Sequence, residues 1–96
     1  MKVKVGKYDY EKSTKKNKKL MVVVKLKNGK TKTIHFGDSS MQQFKDKTGI
    51  WKSKDHGDKE RRKLYKSRAS GIKNKKGELT YKLPTSANYH SYNVLW

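Results

Sequence analysis

The sequence predicts a small α+β fold: an antiparallel sheet of three to four strands, including a tight hairpin, with two short helices packed on it. Two period-2 stretches supply the strands, and Asn28-Gly29 supplies the hairpin turn. Two capped segments with apolar residues three or four apart supply the helices. At 96 residues there is room for a single small domain, 1–96, and none for a second core.

The first ten residues alternate as Lys2-Val3-Lys4-Val5 and then place Tyr8 and Tyr10 two apart, which suits one half-buried strand. Residues 11–19 carry no apolar side chain and read as a basic loop or arm. From Lys19 to Phe36, the run Leu20-Met21-Val22-Val23-Val24 and the return Thr31 to Phe36 flank Asn28-Gly29, the pair favoured in a type I′ turn. A two-residue loop sets Lys27 opposite Lys30, Lys25 opposite Lys32, Val23 opposite Ile34 and Met21 opposite Phe36. That register gathers four lysines on one side of the tip, where they must be solvated or meet an anion.

Gly37-Asp38-Ser39 breaks the strand, and Ser40 with Gln43 forms a capping-box pattern for a short helix over 41–48 that ends at Gly49. Ile50 and Trp51 follow as core anchors. A second helix, capped by Asp55 or Asp58, reaches about Ser70 with an apolar stripe through Leu64, Tyr65, Arg68 and Ile72, and Gly71 takes the left-handed position after it. Asp58 and Glu60 at its start and Lys66 and Arg68 near its end suit the helix dipole. Residues 73–77 form a basic turn, and Leu79, Tyr81 and Leu83 alternate along a strand over 78–83 that Pro84 ends. The stretch 88–96 is an aromatic docking terminus, expected to pack into the domain or into a partner.

Composition limits the chemistry. The chain holds no cysteine, so disulfides and thiolate chemistry are excluded. No apolar run approaches the ~18 residues that span a bilayer, and the first residues lack a signal-peptide core, so a soluble, intracellular protein is expected. His56 between Asp55 and Asp58 would be the general base of a small nuclease, but those acids are better explained as helix caps. His35 reads as a pairing or core-edge residue at the end of a strand and His90 as interfacial. No phosphate loop, nucleophile elbow, zinc spacing or Rossmann glycine pattern occurs, so no enzyme, cofactor or metal is expected.

The formal net charge is +18, carried by 23 Lys and 3 Arg against 8 acidic residues. Lysine is a mobile point charge, whereas arginine is the usual bidentate reader of base edges, so contact with a polyanion would be independent of sequence. The candidate contact residues come from four segments: Lys15, Lys16, Lys18 and Lys19; Lys25, Lys27, Lys30 and Lys32; Arg61 and Arg62; Lys75 and Lys76. Tyr89, Tyr92 and Trp96 are the candidate docking aromatics. A nucleic-acid phosphate backbone and the acidic surface of neighbouring proteins in a large assembly are the two partner classes that fit.

Thr33-Ile34-His35-Phe36-Gly37, the run from Asp55 to Lys63, Ser86-Ala87-Asn88-Tyr89 and Val94-Leu95-Trp96 together resemble the small basic proteins of unassigned function encoded by giant (nucleocytoplasmic large) DNA viruses of algae and amoebae. The similarity runs from about Lys19 to Trp96. It implies a product made in the host cytoplasm during infection and packaged in the virion, and it supplies no catalytic residues. The reading that follows is a non-enzymatic minor capsid component that binds neighbouring coat proteins through its basic and aromatic segments. The alternative is a sequence-independent nucleic-acid-binding protein that condenses or packages the viral genome.

Overall fold

The computed structural model describes residues 2–96. Four strands form one antiparallel sheet in sequence order: β1 (Val3–Val5), β2 (Tyr8–Lys12), β3 (Lys18–Lys25) and β4 (Thr31–Asp38). Two helices follow, α1 (Lys59–Ala69) and α2 (Ala87–Val94). This is the expected small α+β fold with four strands and two helices. One of the two helices is not the expected one.

The N-terminal strand divides in two. A turn at Gly6, with φ +63°, folds Val3 and Val5 back against Tyr10 and Tyr8, so the alternation serves two strands of one hairpin. The 11–19 arm is shorter than expected, because Glu11 and Lys12 extend β2 while Lys18 and Lys19 begin β3.

The central hairpin shifts by one residue from the predicted register. Leu20 lies opposite Phe36, Val22 opposite Ile34, Val24 opposite Lys32 and Lys25 opposite Thr31. The loop has three residues: Gly29 N donates to Leu26 O, Leu26 N donates to Lys30 O, and Gly29 alone has positive φ. A type I turn followed by a left-handed glycine is the ordinary three-residue solution. Asn28 keeps negative φ and accepts from Lys30 N through Oδ1. The shift puts Leu20, Val22 and Val24 on the same face as Ile34 and Phe36, and all five are buried. The gain, about 1.5–3 kcal/mol per buried side chain, outweighs the preference for a two-residue loop. It also scatters the four tip lysines, since Lys25 and Lys32 now point to opposite faces.

No helix forms over 41–48. Ser40 turns its N–H and hydroxyl to Asp38 Oδ1 and so does not cap. Lys45 N and Lys47 N donate to the carbonyls of Leu95 and Val94, where a helix would need them for its own ladder. The segment is a loop pinned by Asp46, whose carboxylate accepts from Thr48 N, Thr48 Oγ1 and Trp51 N. Ile50 and Trp51 do pack on the core. The 78–83 strand is replaced by a 3-10 turn, Thr80–Lys82, beside an isolated bridge between Lys73 and Leu79. No strand lies beside it, and Tyr81 packs against the Tyr92 ring 5.1 Å away. Gly71 has no positive φ, because α1 closes with short-range bonds from Gly71 N to Arg68 O and Ile72 N to Ala69 O.

The second helix is α2, capped by Ser86, whose side chain accepts from Asn88 N. It lays His90, Val94 and Leu95 on the apolar sheet face against Tyr10, Leu20 and Phe36. His90 is therefore a core residue, not an interfacial one. Tyr10 donates its hydroxyl proton to His90 Nδ1 at 2.8 Å, and His90 Nε2 donates to Pro84 O at 2.7 Å. That pair of bonds fixes the neutral tautomer, and burial pushes the His90 pKa down.

Among the described residues, no helix is long and apolar enough to cross a membrane.

Candidate functional site

Asp58 sets the start of α1, its carboxylate accepting from Glu60 N at 3.0 Å and Arg61 N at 3.2 Å. From there Arg61, Leu64, Tyr65 and Arg68 follow at helical spacing along one side of α1. Three side chains of α1 fix it against the end of α2 and the loop that carries Phe44. Tyr65 stacks on Trp96 with centroids 4.2 Å apart and planes 9° from parallel, and its hydroxyl pairs with Ser91 Oγ at 3.0 Å. Arg62 lies 5.0 Å over the Phe44 ring and donates through Nε to Trp96 O at 2.8 Å. Lys66 Nζ sits 4.7 Å over the Tyr92 ring, and burial is the main reason its pKa falls.

Between α1 and the end of β3–β4 lies a cleft of about 440 Å³. Lys18 and Asp38, paired across the strands, line one wall; Arg61, Leu64 and Arg68 line the other. Leu95 and Trp96 also line it, together with Met41 and Gln42 of the adjoining loop. Arg61 Nη1 donates to Gln42 Oε1 at 3.1 Å, tying the helix wall to the loop. Hydrogen bonds from Ser40 hold the Asp38 carboxyl below the usual carboxylate range, so it stays charged.

The cleft gathers some of the expected contact residues and leaves others apart. Lys18 and Arg61 meet there. Lys15 and Lys16 are exposed in the turn that Ser39 ties to the same end of the sheet, through Ser39 Oγ to Lys16 O. Lys25, Lys27 and Lys30 are exposed at the other end of β3, roughly 23 Å from Lys18 at the ordinary strand rise. Lys32 donates to Thr85 O at 3.2 Å. Lys75 and Lys76 are exposed in the turn before Leu79, and Arg62 is committed to Phe44 and Trp96.

Lys19 is not a surface cation. It is 1% exposed and donates through Nζ to Gln43 Oε1, with its pKa lowered chiefly by burial. Asp38, Asp46 and Asp55 oppose that shift. Gln43 passes the network on to Asp55 Oδ1 at 2.6 Å, and Trp51 Nε1 donates to Lys19 O at 2.7 Å.

The aromatic terminus packs on its own chain. Tyr89 lies 6.1 Å from Tyr8, Tyr92 packs on Tyr81, and Trp96 stacks on Tyr65. Near His56, Asp58 presents its main-chain N–H to Nδ1 at 2.9 Å, while Asp55 accepts from Gln43 and Asp46 N. A histidine–carboxylate pair does not form there. His56 Nε2 is buried between neighbours without a hydrogen-bond partner, and the Trp96 ring lies 5.2 Å from its imidazole.

Met41, Leu64, Tyr65 and Arg68 were missing from the sequence-based site. The spacing of Arg61, Leu64, Tyr65 and Arg68 was the available signal, but reading Leu64 as a core residue concealed it.

These features define a basic α+β protein with a cationic, partly apolar cleft. Its sequence is 35% identical over 84 residues to an uncharacterized protein of Acanthamoeba polyphaga mimivirus, spanning 88% of this chain and 75% of that protein. The chain belongs to the same giant-virus family as that protein. No protein-family model matches the chain. No solved structure matches it either.

Proposed function

We propose that this protein is a non-enzymatic, sequence-independent binder of nucleic-acid phosphates that helps to condense or package a giant-virus genome. One observation carries the reading: the cations have almost no counterions within the fold. Against 26 Lys and Arg, the described residues contain one ion pair, Lys2 with Glu11 at 3.7 Å. Five of the eight carboxylates are bonded to main-chain or uncharged groups: Asp38, Asp46, Asp55, Asp58 and Glu78. Exposed lysines occur at both ends of β3 and along α1, a distribution suited to bridging several phosphate backbones. The histidines support the non-enzymatic part, since His90 is locked in the core and His35 pairs with Ser13 Oγ at 2.7 Å.

Binding to duplexes of unrelated sequence, measured across a salt series, tests the proposal. The expected result is one steep log–log slope for all sequences, about −0.9 per phosphate neutralised. Affinity that is flat with salt, or that follows sequence, overturns it.

The minor-capsid reading comes second, and exposed apolar side chains favour it. Met41 is 57% and Leu64 61% exposed, both beside arginine in the cleft. Such a mixture belongs at a protein interface more than on a phosphate track. The terminal aromatics give that reading less support, since each is engaged within the chain. Both readings place the protein in the virion. Fractionated particles separate them, because a genome binder stays with the DNA core and a coat component with the DNA-free shell.

A further inference from the structure

We infer that the cleft between α1 and the Lys18–Asp38 end of the sheet docks an acidic peptide segment through one aliphatic or methionine anchor residue. This site is a partly apolar hollow that adjoins the lysine surface proposed to hold phosphates and shares Lys18 with it.

Three observations converge on it. Leu64 and Met41 stand exposed on different walls of one cleft although neither supports the core. Scattered exposed apolar residues are ordinary, but two that face a shared hollow floored by Leu95 form a patch that can desolvate an anchor. The charges flanking the patch are the second observation. Two of the chain's three arginines, Arg61 and Arg68, line it with Lys18, against the single carboxylate of Asp38. Guanidinium is weakly hydrated and grips carboxylates in a bidentate fork, so arginine suits a contact that is dried on binding. In a chain with 23 lysines, the placement of arginine here follows the chemistry of a protein interface.

The third observation separates a peptide from a nucleic-acid base. A base needs an open ring face, and Tyr65 and Trp96 each spend one face on the other at 9°, while the His56 ring lies 5.2 Å from Trp96. The remaining apolar lining is aliphatic. A volume of about 440 Å³ accepts one large side chain with its flanking main chain. The Arg61–Gln42 bond and the Tyr65–Trp96 stack hold the walls in place beforehand, which lowers the ordering cost of binding.

The test uses fluorescence anisotropy with a labelled peptide of Glu and Asp around a central Leu. A matched peptide with Ser at the centre and a single-stranded oligonucleotide of equal charge serve as comparisons. Leu64→Ser and Met41→Ser alter exposed side chains, and an unchanged melting temperature confirms that each variant folds. The Leu peptide is expected to bind about tenfold tighter than the Ser peptide and to lose that advantage in either variant, while the oligonucleotide is unaffected. Arg61→Ala with Arg68→Ala is expected to weaken the Leu peptide about tenfold or more. Equal affinity for the two peptides, or full binding by Leu64→Ser, overturns the proposal. Equal losses for peptide and oligonucleotide in Leu64→Ser would assign the cleft to nucleic acid and overturn it as well.

Discussion

A methyl group added at Gly37 would meet Leu95 Cδ1 at 2.8 Å and Lys19 Cβ at 3.2 Å, on a backbone whose φ is +75°. The left-handed backbone costs a non-glycine residue about 1–2 kcal/mol, and overpacking adds about 1–3 kcal/mol. Gly77 separates the two costs, because it has φ +79° with open space around it. Urea denaturation should show Gly37→Ala losing about 2–5 kcal/mol and Gly77→Ala about 1–2 kcal/mol. Equal losses would mean that the contact with Leu95 is immaterial. His90 yields a prediction about pH. Burial lowers its folded pKa below the ordinary value near 6.5, so the unfolded chain binds more protons in acid. The stability it contributes is therefore complete above about pH 6.5 and declines as pH falls toward the folded pKa, by at most about 1.4 kcal/mol per pH unit. His56 shifts in the same direction, again mainly through burial. Unfolding free energies at pH 7.5, 6 and 5 check this, and a constant value over that span would contradict a neutral, buried His90.

The two helices bury different amounts of their apolar residues, and leucine substitutions separate them. Leu95, which caps the end of α2, is 1% exposed in the core against the sheet, whereas Leu64 on α1 is 61% exposed. Leu95→Ala is expected to cost about 2–5 kcal/mol and Leu64→Ala less than about 0.5 kcal/mol in the same denaturation experiment. Comparable losses would restore the amphipathic stripe read from the sequence. The fold class, the Asp58 cap and most of α1 were legible because each rests on local chemistry, namely alternation and capping. The hairpin register was legible too, but in its hydrophobic pattern and not its turn. Leu20, Val22, Val24, Ile34 and Phe36 are all even-numbered, so pairing them needs an even sum, which a two-residue loop at Asn28-Gly29 forbids. The 41–48 segment was not legible. Its main-chain donors go to Val94 and Leu95, half the chain away, and no local pattern announces that. The cleft was concealed for the same reason, since β3–β4, α1 and the end of α2 meet only once the chain has folded.

The molecule measures 39 × 33 × 24 Å along its principal axes, and this sets how far its charges interact. At about 0.01 M salt the Debye length is roughly 30 Å, so cations across nearly the whole protein repel one another; at about 1 M it is roughly 3 Å and only neighbours interact. With a net charge of +18 and one internal ion pair among the described residues, the folded state has little of its own to offset that repulsion. Unfolding spreads the charges apart, so low salt favours the unfolded chain. The melting temperature should therefore rise steadily between about 0.01 M and 1 M sodium chloride. A short DNA duplex binds the folded charge array and supplies counterions directly, so it should raise the melting temperature at low salt and lose the effect at high salt, as bound counterions return to the DNA. Replacing Lys25, Lys27 and Lys30 by Ala tests both effects on one surface. The variant should melt higher than the parent at low salt without DNA, because three mutually repelling charges are gone, and should gain less from the duplex. Its binding slope should fall by up to about 3, near 0.9 for each phosphate that is no longer neutralised. A variant that is no more stable alone yet equally stabilised by DNA would show that the hairpin tip takes part in neither effect, and the phosphate-binding surface would have to lie at the Lys15–Lys18 end of the sheet or along α1.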